Sequence, residues 1–78
     1  MTTNEMAKEI QSWVISYAEL AASMKTVDMQ MIYEAKMQAC VQIAESCGLL
    51  DDEDAKELYA YGQDMTGTEI AAMFKGVK

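Results

Sequence analysis

Apolar residues recur at heptad spacing along the first third of the chain. Six of them are separated by four, three, four, three and four residues: Met6, Ile10, Trp13, Tyr17, Leu20 and Met24. In an α-helix these are a and d positions, which form one apolar seam along one side. Residues 1–47 contain neither Gly nor Pro. The pattern predicts an amphipathic helix that begins near Thr3, with Thr2 and Glu5 as a capping box.

The phase of the apolar pattern changes near residue 25. The first seam continues through Val27 and Met31, and a second row then replaces it: Tyr33, Met37, Cys40, Ala44 and Cys47. This change indicates either a helical hairpin or one long, bent helix over residues 3–47. Lys25 to Asp28 is the candidate break, with Thr26 or Asp28 as the new N-cap. No Gly or Asn is present there to end the first helix, so both alternatives stay open.

Residues 29–44 are apolar around most of the helix circumference, which is typical of a helix central to an assembly. Methionines in this region serve either as core filler or as an adaptable groove for a partner helix. Two short flanking helices would cover only part of this surface. We therefore expect self-association, and the candidate residues are Met6, Ile10, Trp13, Tyr17, Leu20, Met24, Met31, Tyr33 and Met37.

The chain after Gly48 reads as two short helices. Gly48 suits the end of the long segment, and Asp51 suits the N-cap of a helix that runs to about Tyr61. Thr66 and Glu69 predict a capping box for a last helix that Gly76 ends. No segment alternates with period two. The chain is thus predicted to be one all-α domain, with a long helix or hairpin (about 3–47), two short helices (48–78), and a dimeric helical bundle as its assembly.

Composition excludes several functions. The 78 residues carry a net charge of −7, with six basic residues, all Lys, and no His. Lacking Arg and being acidic, the chain is a poor candidate for direct nucleic-acid or anionic-membrane binding. Without His, a glycine-rich phosphate loop or a nucleophile motif, no catalytic residue, metal site or cofactor is expected, and the chain is predicted not to be an enzyme. There is no membrane-spanning run and no signal peptide, so the expected compartment is the cytoplasm.

The two cysteines lie seven residues apart on one helical face. Two helical turns separate Cys40 from Cys47 by roughly 10 Å, too far for an intrahelical disulfide. Both are expected to be reduced and buried, and an intermolecular bridge or a redox role is the less favoured alternative.

The densest charge follows Gly48 and suggests a function. The partner-binding candidates are Asp51, Asp52, Glu53, Asp54, Glu57, Tyr59 and Tyr61. The run lacks the ligand spacing of a calcium loop, so it is either a solvated helix start or a surface for a basic partner. The leading hypothesis is an antirepressor-like regulator that binds and inhibits a basic, nucleic-acid-binding protein. The alternative is a structural or assembly subunit of a larger helical complex.

Overall fold

The fold is a helical hairpin with two short helices packed on one side of it. A computed structural model describes residues 3–77. Its elements are α1 (Thr3–Ser23), α2 (Val27–Ser46), α3 (Asp52–Tyr61) and α4 (Gly67–Met73), with a 3-10 turn (Gly62–Asp64) between α3 and α4. No strand occurs within residues 3–77, which confirms the all-α prediction. None of these helices combines the length and hydropathy that crossing a bilayer requires.

The hairpin alternative is the one the structure adopts, with the break at residues 24–26. Thr26 is the N-cap of α2, and its side-chain oxygen accepts from the Met29 amide at 3.3 Å. The Gln30 side-chain amide donates to the Met24 carbonyl at 3.0 Å. This bond satisfies a carbonyl beyond the end of α1, so the turn forms without a glycine. The chain is already helical at Thr3, the first described residue, and Thr2 of the predicted capping box lies outside the described residues.

Small residues line the contact between α1 and α2. The buried positions of α1 are Ala7, Ile10, Val14, Ala18 and Ala21, and those of α2 are Met37, Cys40, Val41 and Ala44. Because alanine side chains are short, the two helix backbones can approach closely along this row. Leu58 and Ile70, from α3 and α4, are fully buried and complete one continuous core.

The connection from α2 to α3 follows the predicted glycine signal. Gly48 has φ +76°, and the Leu49 amide donates to the Ala44 carbonyl at 2.9 Å. This is the Schellman arrangement, in which a left-handed residue closes the helix end. Leu50 is then buried, and Asp51 stands at the N-cap of α3 as predicted. Its carboxylate makes no capping bond and instead accepts from the Lys75 ammonium.

The capping box predicted for α4 is confirmed in both directions. The Glu69 amide donates to the Thr66 hydroxyl at 3.1 Å, and the Thr66 amide donates to the Glu69 carboxylate at 3.0 Å. The helix ends at Met73, so the predicted end at Gly76 is wrong. The chain becomes extended at Phe74, which is buried, and the Lys75 amide then bonds to the Leu49 carbonyl. These tertiary contacts outweigh continuation of the helix.

Candidate interaction surfaces

One side of the hairpin carries a row of large apolar side chains exposed to solvent. On α1, three of them follow at seven-residue steps, and on α2 three more share one flank by helical register. We call this surface the open face; its apolar residues are Met6, Trp13, Leu20, Met29, Ile32 and Ile43, and the exposed Lys36 lies among them. Trp13 is 44% exposed and Met6 is 49% exposed. Exposed apolar side chains gathered on one flank, unlike scattered ones, are typical of interaction surfaces.

A shallow pocket joins the two helices at one end of the open face. Its volume is about 210 Å³, and its lining residues are Met6, Glu9, Ile10, Trp13, Ile43 and Cys47. The lining is almost wholly apolar. A pocket of this size is large enough for one large apolar side chain, and its lining offers few of the polar contacts that orient cofactors and substrates.

Two aromatic rings and one lysine lie together where α1 and α2 meet, outside the lining of this pocket. The Tyr17 and Tyr33 rings stack with centroids 6.4 Å apart. The Lys36 ammonium lies 5.9 Å from the Tyr17 centroid and 5.6 Å from the Tyr33 centroid. Cation–π attraction therefore holds the Lys36 head near α1, at the level of Tyr17.

The predicted self-association residues fall into four groups. Ile10 and Met37 are buried inside the single chain. Tyr17, Met24 and Tyr33 are half-buried, and Met31 is exposed on the opposite flank of α2 from the open face. Met6, Trp13 and Leu20 are exposed together on the open face.

Sequence reasoning missed the α2 half of the open face. Met29, Ile32 and Ile43 were read as part of an apolar circumference without being assigned to a surface. Their spacing of three and eleven residues, with Lys36 between them, places them on one flank and was the available signal.

The acidic candidates lie along α3, which packs on the other side of α2. Glu53, Glu57 and Tyr61 follow at four-residue steps on its exposed surface, and Tyr61 is 62% exposed. Tyr59 is half-buried and packs against the core. The structure thus separates the two tyrosines, and Tyr61 is the one available to a partner.

Ion pairs balance two of the carboxylates at the start of α3. The Lys56 ammonium lies 3.1 Å from Asp52, one helical turn away, and the Lys75 ammonium lies 2.5 Å from Asp51. All four side chains are exposed, so these pairs contribute little to stability. Of the other two acidic residues in the first turn, Glu53 is exposed and Asp54 is half-buried.

Two carboxyl groups of α2 and α3 lie close enough to change each other's protonation. Burial raises the pKa of Glu45, and a hydrogen bond with Asp52 together with the negative charge of Asp52 raises it further. Hydrogen bonds from Lys56 and Glu45 lower the pKa of Asp52. Burial raises the pKa of Tyr59, and the charges of both carboxylates add to the effect. As the pH falls, the Glu45 carboxylate therefore accepts a proton before the Asp52 carboxylate does.

The cysteines differ in environment. Both are free thiols, but Cys40 is buried while Cys47 is exposed at the pocket. The expectation that both are buried is therefore wrong for Cys47, because α2 ends at Ser46 and turns away at that position. Burial raises the pKa of the Cys40 thiol, which keeps it protonated and unreactive.

Within residues 3–77, no group of three or more acidic or thiol side chains is placed to hold a metal ion. No family model, no curated protein and no solved structure matches this chain.

Proposed function

We propose that this chain is a small, non-enzymatic regulator that binds and inhibits a basic, nucleic-acid-binding protein, in the manner of an antirepressor. The docking surface is the exposed side of α3, centred on Glu53, Glu57 and Tyr61. The proposal includes a homodimer formed through the open face. It also assigns the chain to the cytoplasm, where thiols such as Cys40 and Cys47 stay reduced.

The observation that carries this proposal is an exposed aromatic ring in line with carboxylates on a firmly docked helix. Ala55 and Leu58 of α3 are fully buried, so the helix position is fixed by the core. Glu53, Glu57 and Tyr61 are therefore held in place before a partner arrives. Such preorganisation lowers the entropy cost of binding, and tyrosine is a common interface anchor.

Inhibition follows from charge. A protein that binds nucleic acid presents Lys and Arg side chains to phosphate groups. The carboxylates of α3, on a chain with net charge −7, offer the same cations an alternative anionic surface. Occupancy of that basic surface excludes the nucleic acid, and the attraction between opposite charges speeds the encounter.

The test uses affinity capture from the native host with the full-length chain as bait. The wild type should retain a basic protein, release it as salt rises from low to physiological concentration, and block its binding to nucleic acid after purification. Reversal of the α3 charges in Glu53→Lys/Glu57→Lys should abolish capture. Glu19→Lys, an exposed charge reversal on α1, is the control and should retain it.

The proposal is contradicted if the captured protein is not basic, if the α3 variant captures it as well as the wild type does, or if its nucleic-acid binding is unaffected. Salt-indifferent capture would instead indicate a partner held by apolar contacts.

A second function, an assembly subunit, is favoured by a different observation. Val27 and Met31 are 68% and 61% exposed and lie one turn apart near the start of α2. They are on the flank of α2 that α3 covers nearer the end of that helix. Gln38, in the same row, reaches the Tyr59 carbonyl of α3, but α3 ends before covering Val27 and Met31. A larger helical complex would cover this row. Sedimentation that shows species growing beyond the dimer with concentration, and shrinking in Met31→Glu, would support it, whereas discrete dimers would count against it.

A further inference from the structure

We infer that a second copy of this chain covers the open face, with the two α1 helices antiparallel and crossing at Trp13, so that Glu9 of each copy meets Lys36 of the other. This inference rests on the homodimer of the proposed function, and it specifies which residues meet across the dimer interface.

The exposed apolar area suits a second copy. The six large apolar residues of the open face leave on the order of 500 Å² exposed, whereas a stable interface buries about 800 Å² per partner, roughly 65% of it apolar in homodimers. The apolar part of such an interface is therefore present on one chain. Repulsion between two chains of net charge −7 is limited because α3, with its carboxylates, packs beside Gln38 on the flank of α2 opposite the open face.

The apolar row of α1 is symmetric about Trp13. Met6 precedes it by seven residues and Leu20 follows it by seven. In a two-fold dimer each contact occurs twice, so a helix that pairs with its own copy in antiparallel orientation needs such a self-complementary row. An antiparallel crossing at Trp13 sets Met6 of one chain opposite Leu20 of the other, and directs Leu20 at the pocket that Met6 lines.

The charges on the open face have the same symmetry. Glu9 lies four residues before Trp13, at the edge of the pocket. The Lys36 ammonium lies over the ring of Tyr17, which is four residues after Trp13. A two-fold axis at Trp13 therefore brings the Lys36 head to the level of Glu9 of the second copy. A parallel arrangement would leave them about two turns apart.

The test measures the dimer dissociation constant by sedimentation equilibrium for single and double charge reversals. Glu9→Lys and Lys36→Glu each place like charges opposite one another twice per dimer, and each should raise the constant about 10-fold. The double variant Glu9→Lys/Lys36→Glu restores opposite charges but loses the attraction of Lys36 to the Tyr17 ring, so its constant should fall below that of either single variant without reaching the wild type.

Matched controls change the same charges away from the open face. Glu53→Lys on α3 and Lys8→Glu on the far flank of α1 are both exposed and should leave the constant unchanged or shift it only slightly. Trp13→Glu should abolish the dimer, and Leu20→Glu provides a second disruption if Trp13→Glu loses helical circular dichroism.

The outcomes separate the geometry from self-association. A wild type that is monomeric at every concentration overturns both. A dimer in which Glu9→Lys behaves like Glu53→Lys, or in which the double variant is as weak as the single ones, overturns the Trp13-centred geometry and leaves self-association standing. Weakening by each single reversal with partial recovery in the double variant confirms the geometry.

Discussion

The close approach of Gly62 to Met37 gives a prediction with a magnitude that can be worked from the structure. A Cβ added at Gly62 would lie 2.6 Å from the Met37 sulfur and 2.8 Å from its terminal carbon. Ordinary carbon contacts are about 3.5–4.0 Å, so the overlap is close to 1 Å. A methionine end usually moves aside cheaply, but Met37 is only 1% exposed and is enclosed by the core.

The expected cost of Gly62→Ala combines two opposing effects. Overpacking of a core costs about 1–3 kcal/mol. The backbone at Gly62 is right-handed helical, with φ −53° and ψ −40°, so Ala adopts it without strain. Because Ala also restricts the unfolded chain more than Gly does, it adds about 0.4–1 kcal/mol to the free energy of unfolding. The net loss in the free energy of unfolding is about 1–2 kcal/mol, which lowers Tm by roughly 5–15 °C in a domain of this size.

Urea unfolding followed by circular dichroism, at one fixed protein concentration, measures this loss. Gly67→Ala is the comparison, because its Cβ would lie 3.2 Å from the Ile15 side chain, a much smaller overlap than at Gly62, and the substitution improves helix propensity in the first turn of α4; it should cost less than Gly62→Ala. In a Met37→Leu background, which removes the terminal carbon, Gly62→Ala should cost less than it does in the wild type. A Gly62→Ala variant as stable as the wild type would refute the assigned packing of Met37.

Two further predictions concern a helix cap and a carboxyl group. Thr66→Ala removes the capping bond to the Glu69 amide and should lower the free energy of unfolding by about 1 kcal/mol, read by urea unfolding; no loss would contradict a stabilising role for this cap. Burial and Asp52 hold the pKa of Glu45 above its usual 4.5, so its ionisation costs stability as the pH rises through that value. Glu45→Gln should therefore raise Tm at neutral pH and leave it unchanged below about pH 4, and a stabilisation that persists in acid would contradict this cause.

Local signals in the sequence predict most of the element boundaries. The capping box of Thr66 and Glu69 and the left-handed turn at Gly48 depend on residues within a few positions of each other, so both could be read without the tertiary structure. The hairpin break could not be decided, because it forms through a contact six residues apart, from Gln30 to the Met24 carbonyl. The end of α4 was missed for a similar reason, since Lys75 bonds to Leu49 across the fold.

The candidate surface was predicted only in part, because the predicted seam followed the large apolar residues and not the small ones. The heptad row of large residues contains Ile10, which faces α2, and Trp13, which faces solvent. A straight helix turns every 3.6 residues and therefore drifts away from a strict heptad seam. Alanines such as Ala18 and Ala21 occupy the contact that brings the helices together, and the larger residues are displaced toward the open face.

The central claim is that a second copy covers the open face, and Trp13 reports on it directly as the single tryptophan of the chain. The measurement is quenching of Trp13 fluorescence by acrylamide over a range of protein concentrations. We predict that Trp13 is protected at high concentration, becomes accessible on dilution, and is accessible at every concentration in Leu20→Glu. Quenching of the wild type that is equally efficient at all concentrations, and the same as in Leu20→Glu, would contradict the account.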